Sequence, residues 1–401
     1  MNLLKMFKDA FQFGYNTLSG RILFHLGKPK KSPFPLADRL LADAFRLGQL
    51  PSPMDKEEMR AVFVVERLKA LGLSYTVDDA GNILTRLHSA AEKEEPENIS
   101  AEPLLVFTRL VSERWNSLES LGKLELQYAR GAGLADALGP AAILSIAEAF
   151  TEGRLSLGRD ILLFFSVLHF DDPYSNVFRL FTSDRRFRPF AAIGVGGFML
   201  GFLTSHTLGS YRVNLTFTEE EEKPGNTNAV VNTLIDTARH FKKVAESFGD
   251  LLHIYFRRIE ALSSFNRTPP EGVLELDLES TDKDLLEEAM EKIRAIAENT
   301  AYRNVKGAFR IVSFIPPGDP SVSEGLSRIL LELMKELKIN AEEEAKSDPA
   351  SFLSAQGIPA ISVGIASGRE GLGRDTVEIA SIEKGRQLLE RLIVQVGKQN
   401  G

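Results

Sequence analysis

Leu-Leu-Val-Phe at residues 104–107 and Ile-Leu-Leu-Phe-Phe at residues 161–165 are two runs of continuous large apolar residues. A strand that is buried on both faces has this pattern, because neither face meets water. Residues 139–150 lie between the runs and have the composition of a helix. Buried strands that alternate with helices are typical of a sheet with helices on both sides. The sequence therefore predicts an α/β domain with a mixed, largely parallel sheet flanked by helices.

A different pattern begins near Leu208. At residues 211–217 apolar and polar side chains alternate, which predicts a strand with one face toward solvent. Further helical and strand patterns follow in the order β-α-β-β-α-β, which is that of a ferredoxin-like unit. We therefore expect an inserted α+β domain at residues 208–315. Residues 1–207 and 316–401 would then form the larger α/β domain.

Composition excludes several kinds of protein. The chain has 401 residues, of which 43% are hydrophobic and 26% charged, an ordinary globular composition. Because it has no cysteine, it can form no disulfide scaffold, Cys-ligated metal site or cysteine nucleophile. The formal net charge of -7 argues against nucleic acid as a partner, since proteins that bind it usually present a basic surface.

The N-terminal segment, residues 1–31, is basic and amphipathic. Its only acidic residue is Asp9, and its lysines and arginines are interleaved with apolar side chains. Such a segment usually packs on its own domain, but it can also lie on an anionic membrane surface. The sequence has neither the cleavage site of a signal peptide nor a continuous apolar window of about 18 residues. We therefore expect a cytoplasmic protein, with membrane-peripheral binding as an alternative.

One glycine-rich stretch, residues 194–197, resembles part of a nucleotide-binding motif. It reads Gly-Val-Gly-Gly, but position 199 is methionine where a dinucleotide fingerprint has its last glycine. We therefore expect these glycines to allow close backbone packing or a turn.

Several segments resemble a known enzyme family. Leu-Pro-Ser-Pro at residues 50–53 precedes a predicted helix, and Asp-Ala-Gly-Asn follows at residues 79–82. Gly-Ala-Gly-Leu-Ala-Asp at residues 131–136 resembles a turn with a metal-bridging aspartate, and residues 357–360 resemble a late active-site segment. Together they resemble metallopeptidase family twenty. Its dinuclear zinc exopeptidases and amidohydrolases include aminoacylase, carboxypeptidase G, tripeptidase and succinyl-diaminopimelate desuccinylase.

The resemblance implies a fold, a reaction and a partner. The implied fold is a zinc-exopeptidase-like α/β domain with a lid at residues 208–315. Members of the family hydrolyse a peptide or amide bond next to a carboxylate-bearing residue. Their two zinc ions share an aspartate and a water, and a glutamate is the general base. Because the family's lid usually forms the dimer, the resemblance implies a homodimer through the lid.

The first metal-binding strand of the family is altered in this chain. It has Arg109 and Val111 in place of a His-x-Asp motif, and the arginine has no lone pair to offer zinc. The bridging aspartate is retained as Asp136, but only as a vestige if its partners are gone. A single aspartate cannot hold two zinc ions.

The remaining ligands that the resemblance implies are also replaced. The family's Glu-Glu pair falls on His169 and Phe170, and its next acidic ligand falls within residues 194–197, which contain no carboxylate. The last histidine ligand falls near Arg374, and no histidine follows His253. We therefore expect a degenerate member of the family that binds no zinc and is catalytically inactive.

Arg109 and Arg374 are the candidate ligand-binding residues of such a protein. Both are expected to point into the former metal cavity, where their charges could replace those of two zinc ions. There they would pair with Asp136 or with the carboxylate of a small or peptide-like ligand. Asn266 lies where the family's lid has a comparable asparagine, so the resemblance makes it a third candidate ligand-binding residue. The alternative is a purely structural arginine–aspartate network that fills the vacated site.

Two other functions stay open. His169 and Asp171 would share one face of a strand, so with Asp136 they could form a rebuilt or single-metal zinc site of an active peptidase. The alternative for these two residues is the end of a strand followed by a loop. The second function is that of an interaction or membrane-surface protein, which would use residues 1–31 and keep the fold as a scaffold.

Overall fold

The computed structural model describes most of the chain. The described residues are 34–50, 58–89, 102–112, 122–125, 127–167, 181, 187–203, 208–219, 228–261, 268–300, 304–343, 348, 350–371 and 373–398. His169, Asp171, Asn266 and the basic segment at residues 1–31 lie outside these ranges.

Helices and strands alternate through much of the described chain. The helices are α1 (Pro35–Gln49), α2 (Glu58–Ala70), α3 (Leu134–Thr151), α4 (Ala229–Phe248), α5 (Lys283–Thr300), α6 (Pro320–Glu336), α7 (Ser351–Ser354) and α8 (Ile379–Gly397). The strands are β1 (Thr76–Val77), β2 (Ile83–Leu87), β3 (Leu104–Arg109), β4 (Lys123–Leu124), β5 (Tyr128–Gly131), β6 (Ile161–Ser166), β7 (Ala191–Gly196), β8 (Phe202–Leu203), β9 (Gly209–Glu219), β10 (His253–Glu260), β11 (Glu271–Ser280), β12 (Val305–Ile315), β13 (Glu342–Glu343), β14 (Ala360–Gly364), β15 (Gly368–Arg369) and β16 (Asp375–Glu378).

The main sheet has six strands in the order β1-β2-β6-β3-β7-β14. The neighbours β6, β3, β7 and β14 run parallel, whereas β1 and β2 are antiparallel to their neighbours. The predicted mixed, largely parallel sheet is therefore confirmed.

Burial on both faces explains why β3 is continuously apolar. Leu104 and Val106 belong to the larger hydrophobic core, to which α1, α3 and α8 also contribute. Leu105 and Phe107 belong to a separate core together with Phe181. Each such buried side chain stabilises the fold by roughly 1.5–3 kcal/mol relative to exposure. The alternation of β3 side chains between two cores is the pattern that the sequence predicted.

Helix α3 begins earlier than predicted. It starts at Leu134, whereas the sequence predicted a helix over residues 139–150. Gly139 is required inside this helix because a Cβ there would lie 2.6 Å from the carbonyl oxygen of Val195. By length and mean hydropathy α3 could span a membrane, but 72% of this stretch is buried inside the fold. We therefore describe α3 as a core helix.

A second, four-stranded sheet is formed by strands of residues 208–315 in the order β10-β11-β9-β12. All neighbours are antiparallel, which is the strand arrangement of a ferredoxin-like unit. Apolar side chains of β9 and β11 meet those of α4 and α5 in a core of their own. The other face of β9 carries its polar side chains, as the alternation of residues 211–217 predicted.

A small sheet, β15-β16-β5-β4, joins distant parts of the chain. It places Asp375 opposite Gly131. Helix α8 follows at once, and Glu378 is its N-cap residue. The Ser381 hydroxyl accepts a hydrogen bond from the backbone N–H of Ser367 at 2.8 Å. This hydrogen bond connects the first turn of α8 to the preceding loop.

Candidate functional site

The carboxyl end of β3 meets the amino end of α3 at one edge of the main sheet. Arg109 is the last residue of β3, and Ser112 follows it closely. Asp136 lies in the first turn of α3. Arg109 and Asp136 are 27 positions apart in the sequence, and the strand-to-helix geometry brings them into contact.

Both carboxylate oxygens of Asp136 accept hydrogen bonds from protein groups. Arg109 Nη2 lies 3.3 Å from Oδ1, and Ser112 Oγ donates to Oδ2 at 2.8 Å. The Asp136 side chain is 13% exposed, whereas that of Arg109 is 47% exposed. The Asp136 carboxylate is therefore mostly buried, whereas the Arg109 guanidinium is accessible to solvent.

Arg60, on α2, lies behind the end of β3. It is completely buried, and its Nη1 donates to the carbonyl oxygen of Leu110 at 3.0 Å, while Nε donates to that of Leu50 at 3.3 Å. Its Nη2 has no hydrogen-bond acceptor among the residues that the structure describes. Burial lowers the pKa of Arg60 to about 10, the charge of Asp136 opposes this, and that of Arg109 adds to it. Arg60 thus remains a cation at neutral pH, within electrostatic reach of both residues.

Sequence reasoning missed Arg60. Its neighbours in the sequence are those of an ordinary amphipathic helix, and charged residues are usually exposed. The one available signal was its i, i+4, i+8 spacing with Val64 and Leu68, which are both fully buried.

Asp375 positions the start of α3. The backbone N–H of Ala135 donates to its Oδ2 at 3.0 Å, and that of Gly371 donates to Oδ1 at 3.3 Å. The first N–H groups of a helix have no partner within the helix, so a carboxylate there satisfies a donor and suits the helix dipole. Asp375 is 1% exposed, and the pairing of β16 with β5 holds it in place.

The glycine-rich stretch at the end of β7 packs against the same turn of α3. A Cβ on Gly197 would lie 1.9 Å from the carbonyl oxygen of Ala135. Backbone therefore fills the space that a side chain at position 197 would need. The expectation of close backbone packing at these glycines is consistent with this contact.

Comparison with known proteins identifies the fold. No protein-family model matches the chain, and no curated protein matches its sequence significantly. Solved structures do match. A tripeptidase from Staphylococcus aureus has a TM-score of 0.67 at 14% identity, covering 90% of this chain and 99% of that one. The dipeptidase Dug1p from Saccharomyces cerevisiae has a TM-score of 0.69 at 12% identity, covering 92% and 98%.

A third match is YxeP from Bacillus subtilis, described as a dinuclear metal-binding peptidase of the M20 family. Its TM-score is 0.58 at 14% identity, covering 90% of this chain and 98% of that one. This chain has the M20 peptidase fold. The resemblance to metallopeptidase family twenty that the sequence predicted is therefore confirmed for the fold.

The residues described at this edge of the M20 fold do not suit a dinuclear zinc centre. Within the described ranges, no group of three or more His, Cys, Asp or Glu residues could hold a metal ion. Asp136 is engaged by Arg109 and Ser112, and Asp375 accepts from backbone N–H groups. A guanidinium beside the carboxylate also repels a cation, whereas zinc sites in proteins use neutral or anionic ligands.

The structure brings together some of the predicted site residues. Arg109 and Asp136 form the predicted pair. Arg374 is exposed and precedes Asp375, and it makes no ion pair with the residues that the structure describes, so its ligand-binding role stays a prediction. Asn266, His169 and Asp171 lie outside the described ranges, and their roles also stay predictions.

Proposed function

We propose that this chain is a catalytically inactive protein of the M20 fold that binds a peptide-like or other carboxylate ligand at the Arg109–Asp136 site. The observation that carries this proposal is that protein donors engage both oxygens of Asp136. A zinc ion would have to displace a guanidinium and a hydroxyl from that carboxylate. A site built in this way favours an anion over a cation.

Among the residues that the structure describes, Asp136 is the partner of the Arg109 guanidinium, so further N–H groups of Arg109 can serve such a ligand. The guanidinium has five N–H groups, and one contact with Asp136 at 3.3 Å is longer than the roughly 2.7–2.9 Å of a strong charge-assisted hydrogen bond. It is also 47% exposed. A carboxylate is the group that matches the planar guanidinium fork, so it is the ligand chemistry that we propose.

Metal analysis tests the loss of catalysis. Protein purified without a metal-affinity tag is analysed by inductively coupled plasma mass spectrometry, before and after incubation with excess zinc, manganese or cobalt. We expect almost no metal in either sample, and no hydrolysis of dipeptides or N-acyl amino acids. One or two tightly held metal ions per chain would contradict the proposal. It would make an active peptidase, with a zinc site around Asp136, His169 and Asp171, the leading function.

Ligand screening tests the binding function. Small peptides and N-acyl amino acids are compared by thermal shift on the wild type, Arg109→Ala and the control Arg130→Ala, whose side chain is 50% exposed. We expect weaker carboxylate binding in Arg109→Ala alone. Equal binding by all three proteins would leave only the structural arginine–aspartate network.

We also propose a homodimer formed through the lid. β10 is an outer strand of the lid sheet and exposes Tyr255, Phe256 and Ile259 at 43%, 37% and 55%. An outer strand with exposed apolar side chains is a surface that proteins usually cover. The cytoplasmic location and the binding of residues 1–31 to a membrane surface stay predictions.

A further inference from the structure

One donor of the buried Arg60 has no partner among the described residues. Its Nη1 and Nε are satisfied by the carbonyl oxygens of Leu110 and Leu50, but Nη2 finds no acceptor in the described part of the chain. A buried, unpaired donor is costly and rare in native proteins. The two carbonyl contacts therefore do not by themselves explain why an arginine is buried at position 60.

Within the described part of the chain, two guanidiniums share one carboxylate at this site. Arg60 holds the carbonyl of Leu110, the residue that follows Arg109, and Arg109 pairs with Asp136. Burial lowers the pKa of Arg60, the charge of Asp136 raises it and that of Arg109 lowers it. Asp375, another carboxylate near the start of α3, accepts hydrogen bonds from the backbone N–H groups of Ala135 and Gly371. Among these described groups, Asp136 thus neutralises about one of the two positive charges, and one remains.

This inference rests on the function proposed above. We propose that Arg60 is a positioning residue that makes the Arg109 guanidinium a receptor for a singly charged carboxylate. Arg60 does so in two ways. It holds the carbonyl of Leu110, and thereby the strand end that carries Arg109 and Ser112. It also competes for the charge of Asp136, so that the exposed guanidinium of Arg109 is only partly neutralised by its partner.

The charge balance specifies the ligand. One excess positive charge matches one negative charge, such as the carboxylate of an N-acyl amino acid or of a peptide C-terminus. A neutral amide of the same shape would leave that charge unmatched, and a dianion such as sulfate would exceed it. The site therefore discriminates by charge, which a purely structural arginine would not do.

The test uses N-acetylglycine as the carboxylate, N-acetylglycinamide as its neutral match and inorganic sulfate as the dianion. Affinities come from concentration-dependent thermal shifts of the full-length chain at low ionic strength. For the wild type we expect binding of N-acetylglycine and much weaker binding of the other two. Arg60→Met should weaken N-acetylglycine binding at least about tenfold, because the excess charge is lost. Arg60→Lys, which keeps the charge, should lose less.

A second variant keeps the inference testable if Arg60→Met does not fold. Asp136→Asn removes the charge that the two arginines share, so it should bind N-acetylglycine more tightly than the wild type. Arg328→Met is the control, because its side chain is 69% exposed and pairs with Glu324 on its own helix.

Three outcomes are decisive. No binding of any probe by the wild type would overturn the proposed function, and this inference with it. Wild-type binding that neither Arg60→Met nor Asp136→Asn changes would overturn this inference alone. Weaker binding in Asp136→Asn would also overturn it, since the aspartate would then be a ligand-holding group and not a competitor.

Discussion

The backbone N–H of Ala135 donates a hydrogen bond to Oδ2 of Asp375 at 3.0 Å, across 240 positions of the chain. The bond connects the first turn of α3 to β16, which directly precedes α8. Because Asp136 is the next residue after Ala135, this contact also sets the position of the carboxylate that Arg109 and Ser112 bind. The geometry of the site therefore depends on the closure of the fold by its last strand.

Asp375→Asn should destabilise the protein by about 1–3 kcal/mol. The amide can accept from one of the two backbone N–H groups, but its own NH₂ then faces the other donor, and the charge at the helix start is lost. Urea unfolding at neutral pH measures the change. The control is Asp250→Asn, an exposed residue for which we expect a change within about 0.5 kcal/mol. Equal effects of the two substitutions would contradict the capping role of Asp375.

Gly197→Ala should destabilise the protein by about 1–3 kcal/mol, because the new Cβ would lie 1.9 Å from the Ala135 carbonyl oxygen and the backbone would have to move. The matched control is Gly325→Ala in α6, where a Cβ meets nothing within 4 Å. There alanine should stabilise the helix by about 0.5–1 kcal/mol. Thermal unfolding of both variants checks the opposite signs, and a neutral Gly197→Ala would show that the contact is loose.

A charged side chain introduced into β10 should dissociate the proposed lid dimer. Ile259 is 55% exposed on this outer strand, so Ile259→Lys would place a charge in the interface without disturbing the core of the lid. Multi-angle light scattering should give twice the chain mass of 44.4 kDa for the wild type and the single chain mass for the variant. Leu124→Lys, 48% exposed on β4, is the control and should remain dimeric. A monomeric wild type at micromolar concentration would contradict the proposal.

Two carboxylates of β11 should affect stability in opposite directions as pH changes. Burial would raise the pKa of Asp277, but hydrogen bonds and charge from Arg212 and Arg257 outweigh it and hold the pKa below its usual value. Burial, with the charge of Asp277 second, raises the pKa of Glu279. Asp277 therefore stabilises the fold above the pKa of an unfolded aspartate and ceases to do so as pH falls through its own lower pKa. Glu279 ionises as pH rises, and because its pKa is raised in the folded state this ionisation destabilises the fold.

Asp277→Asn should lower the free energy of unfolding by about 2–3 kcal/mol at neutral pH, because its charge-assisted bonds with two arginines are lost. The loss should shrink in acid. Glu279→Gln should instead stabilise the protein at neutral pH and have little effect near pH 3, where both states of the glutamate are protonated. Chemical unfolding from about pH 3 to 8 measures both differences. The same sign for both variants at neutral pH would contradict these pKa directions.

Arg109 and Asp136 are the residues of the described site that were predicted from the sequence. The resemblance placed both at the former metal cavity, and a pair between them was one of two alternatives, the other being a pair of Arg109 with the carboxylate of a ligand. Arg60 and Asp375 were not predicted as parts of the site. Neither belongs to a motif, and each acts through backbone groups of residues that are distant in the sequence.

The sequence alone determined the two kinds of sheet. Alternating polar and apolar side chains indicate a strand that is buried on one face, as in β9. A continuous apolar run indicates a strand that is buried on both faces, as in β3. The tertiary structure decided where α3 begins, how Asp375 reaches Ala135 and why Arg60 is buried. Each of these depends on contacts between segments that are far apart in the chain, and on the fit of backbone against backbone at Gly139 and Gly197. Local periodicity reports burial, but only the packed fold determines which buried groups meet.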